Sequence, residues 1–208
     1  CQVQDESSML VAHVVDPQPG ELVLDVCSAP GGKTTHMAAL MENRGRIVAC
    51  DIYDHKLQRV MENAARLGIN IIDPMLMDAR EIHQDFPQQA DRVLVDAPCS
   101  GLGVLRRKPD SRWRKTQQLL KELPELQLEI LKSGAACVKP GGILVYSTCT
   151  IAREENQAVV EKFLKDNAEF QLEHTGSRLP VPREDVMVQL YPQRDGTDGF
   201  FIACMRRK

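Results

Sequence analysis

Two cysteines stand in polar surroundings just after apolar runs: Cys99 in Asp96-Ala-Pro-Cys-Ser-Gly101 and Cys149 in Tyr146-Ser-Thr-Cys-Thr150. A thiolate is a strong, soft nucleophile once neighbouring dipoles or cations favour it. The flanking Pro, Ser, Thr and Gly residues read as loops, where function concentrates. Cys27, Cys50, Cys137 and Cys204 instead lie within or beside apolar runs and read as small core residues, while Cys1 has no context. Seven cysteines without a paired framework imply free thiols in a reducing, cytoplasmic compartment. No Cys-x-x-Cys pair or His/Cys cluster at zinc spacing occurs, so no metal is expected. No histidine adjoins either loop cysteine, and a Cys–His acyl-transfer site cannot be read from these residues.

A glycine loop accompanies the thiols. Leu22-Val-Leu-Asp-Val26 runs into Cys27-Ser-Ala-Pro-Gly-Gly-Lys33, where Gly31-Gly32 lets backbone approach a ligand at the start of a helix. The loop lacks the full G-x-G-x-x-G dinucleotide pattern. Gly32-Lys33-Thr34 with Arg92-Val-Leu-Val-Asp96 mimics a nucleotide triphosphatase, but Cys27 stands where a P-loop needs glycine, and Pro30 donates no N–H. Asp51 ends the next strand and suits the ribose hydroxyls of an adenosine cofactor; Asp78, after the strand that follows, suits the adenine amine. Any one such aspartate is an ordinary strand-end cap. With Asp96, all at one sheet edge, they argue for a site.

The elements that position these residues alternate. Strands are predicted at 22–27, 46–51, 71–77, 91–95 and 143–147, with weaker ones at 169–173 and 199–205. Helices are predicted from Thr34 to Glu42, after an Asp54 N-cap to a Gly68 stop, from about Pro124, and from Glu154 to Lys165. The pattern predicts an α/β fold with a doubly wound, mostly parallel seven-stranded sheet. Its crevice would then lie at the strand ends carrying both cysteines. The 208 residues fit one domain, and no apolar run approaches a membrane span. A net charge of −3 excludes a generally basic nucleic-acid binder but allows a local basic patch.

Alkylating an unactivated pyrimidine carbon is a reaction that needs both a thiol and an adenosine cofactor. Thiol addition at C6 of cytosine makes C5 an enamine carbon able to attack a sulfonium methyl. The segments Asp25-Val-Cys-Ser-Ala-Pro-Gly-Gly-Lys-Thr34, Asp96-Ala-Pro-Cys-Ser-Gly-Leu-Gly103 and Tyr146-Ser-Thr-Cys-Thr150 resemble three ordered motifs of RNA cytosine-5 methyltransferases. The likeness extends through Arg106-Arg-Lys-Pro-Asp110, Trp113, Glu154-Glu-Asn156 and Asp198-Gly-Phe-Phe201. It is nearest the bacterial Fmu/Sun type, which acts on small-subunit ribosomal RNA. The resemblance implies a Rossmann-like class I methyltransferase fold with S-adenosylmethionine as donor. It implies cofactor contacts from Cys27, Ser28, Ala29, Pro30, Gly31, Gly32, Lys33, Asp51, Asp78 and Asp96, with Asp96 also counted as catalytic. Ser28 stands where relatives often carry alanine. The family's nucleophile corresponds to Cys149, and the cysteine that assists breakdown of the covalent adduct corresponds to Cys99.

Full-length members of that family carry an N-terminal RNA-binding region, so residues 1–208 are expected to be the catalytic domain, acting as a monomer on ribosomal RNA. Arg106, Arg107, Lys108, Arg112, Trp113 and Arg114, followed by Lys115, suit phosphate neutralisation with one stacking aromatic on unpaired RNA. A basic run by itself is more often a solvated face, and Trp113 serves equally well as a core anchor. The rival readings are methylation of another RNA such as tRNA, a P-loop-like triphosphatase, or a non-catalytic RNA- or cofactor-binding module. An amino-directed methyltransferase is disfavoured, because Asp96-Ala-Pro-Cys99 replaces the Asn/Asp-Pro-Pro-aromatic pattern that such enzymes resemble.

Overall fold

The apolar runs become strands buried on both faces, because helices cover the sheet from either side. In the computed structural model, which describes residues 3–109 and 117–208, the helices are α1 (Glu6–Val15), α2 (Gly32–Leu40), α3 (Asp54–Leu67), α4 (Gln117–Cys137), α5 (Gln157–Asp166) and the short α6 (Pro192–Asp195). The strands are β1 (Leu22–Asp25), β2 (Arg46–Asp51), β3 (Ile72–Leu76), β4 (Ala90–Asp96), β5 (Val138–Thr148), β6 (Phe170–Leu172), β7 (Val188–Leu190) and β8 (Phe200–Arg207).

The sheet path β3-β2-β1-β4-β5-β8-β6 has the seven strands expected, and three-residue β7 adds an eighth by pairing with β8. Strands β1 to β5 are mutually parallel, and β8 runs antiparallel beside β5. Alternate residues feed opposite cores. Val23, Ile47 and Leu94 meet Val11, Val14, Met37 and Val60 from α1, α2 and α3. Leu24, Val93 and Val95 meet Ile130, Leu131 and Phe163 from α4 and α5. Chain order reverses between β1 and β4, the switch point at which open α/β sheets bind ligands.

Several boundaries differ from the sequence reading. Helix α1 lies outside the predicted elements; Asp5 caps it, accepting from Ser7 N at 3.1 Å. Helix α2 starts at Gly32 rather than Thr34, since Gly31 takes φ +97 and serves as its N-cap. Tyr53, not Asp54, caps α3, leaving Asp54 in the first turn where its charge complements the helix dipole. Helix α4 is already formed at Gln117, so Pro124 lies inside it. Good helix formers precede the proline, and buried Leu123, Gln127 and Leu131 at helical spacing hold the helix across the missing bond. Helix α5 starts at Gln157 because residues 154–156 form a turn whose side chains reach back towards the cysteine loops.

Candidate active site

Strand β1 ends at Asp25, so the next residues form the glycine loop. Ser28 N donates to Cys50 O at 2.8 Å, and Gly31 N donates to Ser28 O at 2.8 Å. A Cβ on Gly31 would lie 3.1 Å from Val60 Cα, so glycine is needed here for close packing as well as for positive φ. Thr34 Oγ1 donates to Asp25 Oδ2 at 2.7 Å, and the other Asp25 oxygen is buried without a partner among the described residues. Burial pushes the Asp25 carboxyl up to about 7, against the Thr34 hydrogen bond.

Strands β4 and β5 pair Asp96 with Ser147, which sets their following loops side by side. Asp96 accepts from Lys33 Nζ at 2.8 Å and from Ser147 Oγ at 2.8 Å. Burial disfavours the Lys33 charge, but Asp96 outweighs it and holds the ammonium above its ordinary pKa. Cys99 and Cys149 meet with their sulfurs 3.3 Å apart. The hydrogen bond with Cys99 holds the Cys149 thiol below its ordinary value, opposed by burial and by the Asp96 charge and helped by Lys33. The same bond, with burial, drives Cys99 well above its ordinary value. The contact thus shifts the two thiols in opposite directions, Cys149 down and Cys99 up.

A cleft of about 640 Å³ opens beside the thiols, within the range of small-ligand sites. Cys27, Ala29, Asp51, Asp78, Asp96, Cys99 and Cys149 all line it. Ser28, Pro30, Gly32 and Lys33 line a smaller cavity of about 220 Å³ beneath the same loop. Asp51 accepts from Tyr53 N at 3.0 Å, with Lys56 Nζ 3.9 Å away. Asp78 is paired with Arg80, whose Nη2 donates at 2.6 Å and holds the carboxyl below its ordinary value. Sequence reading missed Ile52, which is 54% exposed in the cleft wall beside Asp51. Its signal was the apolar run of β2 continuing one residue past the aspartate. Cys27 is half-buried against the cleft, whereas Cys50, Cys137 and Cys204 are core residues.

A family described as 16S rRNA methyltransferase RsmB/F matches residues 12–206. The chain belongs to this RsmB/F family. It is 48% identical over 212 residues to the probable ribosomal RNA small subunit methyltransferase B of Bacillus subtilis, covering 99% of this chain and 47% of that protein. A Synechocystis protein of the same name is 42% identical over 210 residues, again covering 99% and 47%. The crystal structure of NSun6 from Pyrococcus horikoshii with SFG superposes at a TM-score of 0.87 with 34% identity, covering 98% of this chain and 52% of that one. The chain thus spans about half the length of the curated relatives it matches.

Within this member of the RsmB/F family, the basic segment divides. Arg106 Nε donates to Asp198 Oδ1 at 2.8 Å and Arg107 Nε to Asp198 Oδ2 at 2.6 Å, with Asp198 only 1% exposed. Both arginines keep about half their side-chain surface in solvent, 43% and 52%. Lys108 is exposed, and Arg112, Trp113, Arg114 and Lys115 lie outside the described residues. Behind the arginines, Gly103 N donates to Cys149 O at 3.0 Å and Gly199 N donates to Gly103 O at 2.9 Å. A Cβ on Gly103 would sit 1.9 Å from Gly199 O, so only glycine allows these backbones to cross beside the thiol.

Proposed function

We propose that the chain transfers a methyl group from S-adenosylmethionine to C5 of a cytosine in small-subunit ribosomal RNA, through a covalent Cys149–C6 adduct. The observation that carries this reading is the unequal thiol pair, 3.3 Å apart, on the wall of the cleft that also holds Asp51. The residues present fit the donor. The Asp51 carboxylate suits ribose hydroxyls, exposed Ile52 offers an apolar face to a planar ring, and the α2 N-terminus follows the glycine loop.

When bound, S-adenosylmethionine supplies an electrophilic sulfonium methyl. The Cys149 thiolate adds to C6 of the cytosine, and the ring electrons displaced make C5 nucleophilic. Once C5 carries the methyl, a base takes the C5 proton, the electron pair of that bond re-forms the C5–C6 double bond, and the Cys149 sulfur leaves as a thiolate. Cys99 stays hydrogen-bonded to that sulfur and stabilises it as it leaves. Lys33 and Asp96 fix the charge beside the thiolate, with Ser147 holding the second Asp96 oxygen.

Incubating the chain with methyl-labelled S-adenosylmethionine and small-subunit ribosomal RNA, followed by mass mapping of nucleosides, tests this. Label in 5-methylcytosine is expected. Label in tRNA alone redirects the substrate, and hydrolysis of nucleoside triphosphate without methyl transfer overturns the reading.

A further inference from the structure

Glu155 is fully buried, and its carboxylate is met by neutral donors from both cysteine loops and from α4. Ser100 N donates to Oε2 at 2.8 Å, Ser100 Oγ donates to Oε1, and Thr150 Oγ1 donates to Oε1 at 3.3 Å. Gln127 Nε2 donates to Glu155 Oε2 at 2.9 Å and also to Pro98 O at 3.0 Å. The Tyr146 hydroxyl donates to the Glu155 main-chain oxygen at 2.7 Å. Cys99 is therefore gripped on both sides, through Pro98 and Ser100, and Cys149 on its far side through Thr150. Asn156 bridges both sides of Cys149, accepting from Thr148 Oγ1 at 2.5 Å and donating to Thr150 O at 3.1 Å.

Burying a carboxylate against neutral donors is costly, and an apolar residue would fill the space with less penalty. What the carboxylate alone offers is acceptor capacity on both oxygens, so that hydroxyl, amide and main-chain donors from three elements converge on one point. We propose that Glu155 is a positioning residue: by holding Ser100 and Thr150 it fixes the contact between Cys99 and Cys149, and so keeps Cys149 the attacking sulfur. Its effect on turnover rests on the adduct reading above, whereas its effect on the thiol pair is measured without RNA.

The test is the pH dependence of Cys149 alkylation by iodoacetamide in the full chain, read by peptide mass mapping with no RNA or cofactor. Among the described residues, Cys99, Lys33, Asp96 and, farther off, Arg107 are the charged or titratable groups that face Cys149. Glu155→Gln keeps the shape but turns an NH2 group towards the converging donors. It is expected to move the alkylation midpoint up by about one pH unit, leaving roughly a tenth of the thiolate near neutral pH. Cys99→Ala should move the midpoint by a similar amount, and the double variant no further, because both act through one contact. An unmoved midpoint in folded Glu155→Gln, or shifts that add, overturns the proposal. Should Glu155→Gln fail to fold, Ser100→Ala is read the same way. An upward shift that vanishes in the Cys99→Ala background supports the role, and no shift overturns it. The expected shift in a chain that transfers no methyl to RNA would defeat the adduct reading and leave this one standing.

Discussion

The sulfurs of Cys99 and Cys149 lie 3.3 Å apart, and this contact holds the Cys149 thiol below its ordinary pKa and drives that of Cys99 above it. Proximity alone makes either residue a candidate nucleophile, and the Pro98-Cys99 pair even resembles the nucleophile motif of DNA cytosine-5 methyltransferases. The opposite shifts of the two thiols are consistent with Cys149 as the proposed nucleophile, and the variants separate the roles. Cys149→Ala is expected to abolish turnover and leave no RNA adduct, because the first bond never forms. Cys99→Ala is expected to lose turnover yet accumulate a methylated protein–RNA adduct, because elimination stalls. Denaturing electrophoresis with substrate RNA and labelled cofactor reads both, and an adduct in Cys149→Ala alone reverses the assignment.

Asp51 gives a second expectation. Its carboxylate already accepts from Tyr53 N, which leaves the second oxygen for a ribose hydroxyl. Asp51→Ala should weaken cofactor binding by about 1.5–3 kcal/mol, or roughly ten- to a hundredfold in Kd. Calorimetry giving the parent affinity, or tight ATP binding in its place, removes Asp51 from the cofactor site.

The positions of the thiols, the glycine loop and the aspartates were legible because strand ends punctuate apolar runs, and parallel strands bring such ends to one edge. Glu155 lies in a segment that carries the family resemblance, but its role, like that of Gln127, was not legible. Their partners lie far away in sequence, and a buried polar cluster has no period. Helix α1 escaped because its apolar residues form no marked stripe; the Asp5 cap with Ser7 was its one local signal. Pro124 misled because a proline suits a first turn as well as an interior position held by packing. Strand β7 is too short to show alternation.

The buried Asp25 carboxyl makes stability pH-dependent. Its folded value, about 7, exceeds the unfolded 3.8, so the folded state binds the extra proton between them. Its contribution is fully present below about pH 4 and is lost as pH rises to about 7, amounting to roughly 4 kcal/mol. Asp25→Asn should therefore raise the melting temperature at pH 8 and change it little at pH 4, measured without cofactor. A parent-like melting curve at pH 8 would mean that the Asp25 site is better solvated than its burial implies.

Neutralising Arg106, Arg107 and Lys108 together should weaken RNA binding across sequences and reduce the salt slope by about one for each phosphate no longer neutralised. Because Asp198 is buried between the two arginines, Arg107→Ala should also cost about 1–3 kcal/mol in stability, visible as a lower melting temperature. A lower melting temperature with an unchanged salt slope would assign these arginines to anchoring the 196–198 turn and not to RNA.

The crossing of Gly103 and Gly199 ties the Cys99 loop to a strand that lies far along the chain. Ribosomes deliver the chain from its N-terminus, so the Cys99 loop and Cys149 exist before Gly199 and β8 do. Until then the Gly103 carbonyl lacks its donor, and β5 lacks the antiparallel neighbour that carries Phe200 and Phe201 into the two cores. The hydrogen bonds that tie the Cys99 loop to Cys149 and to Gly199 are therefore complete only after Gly199 has been made, well behind both cysteines.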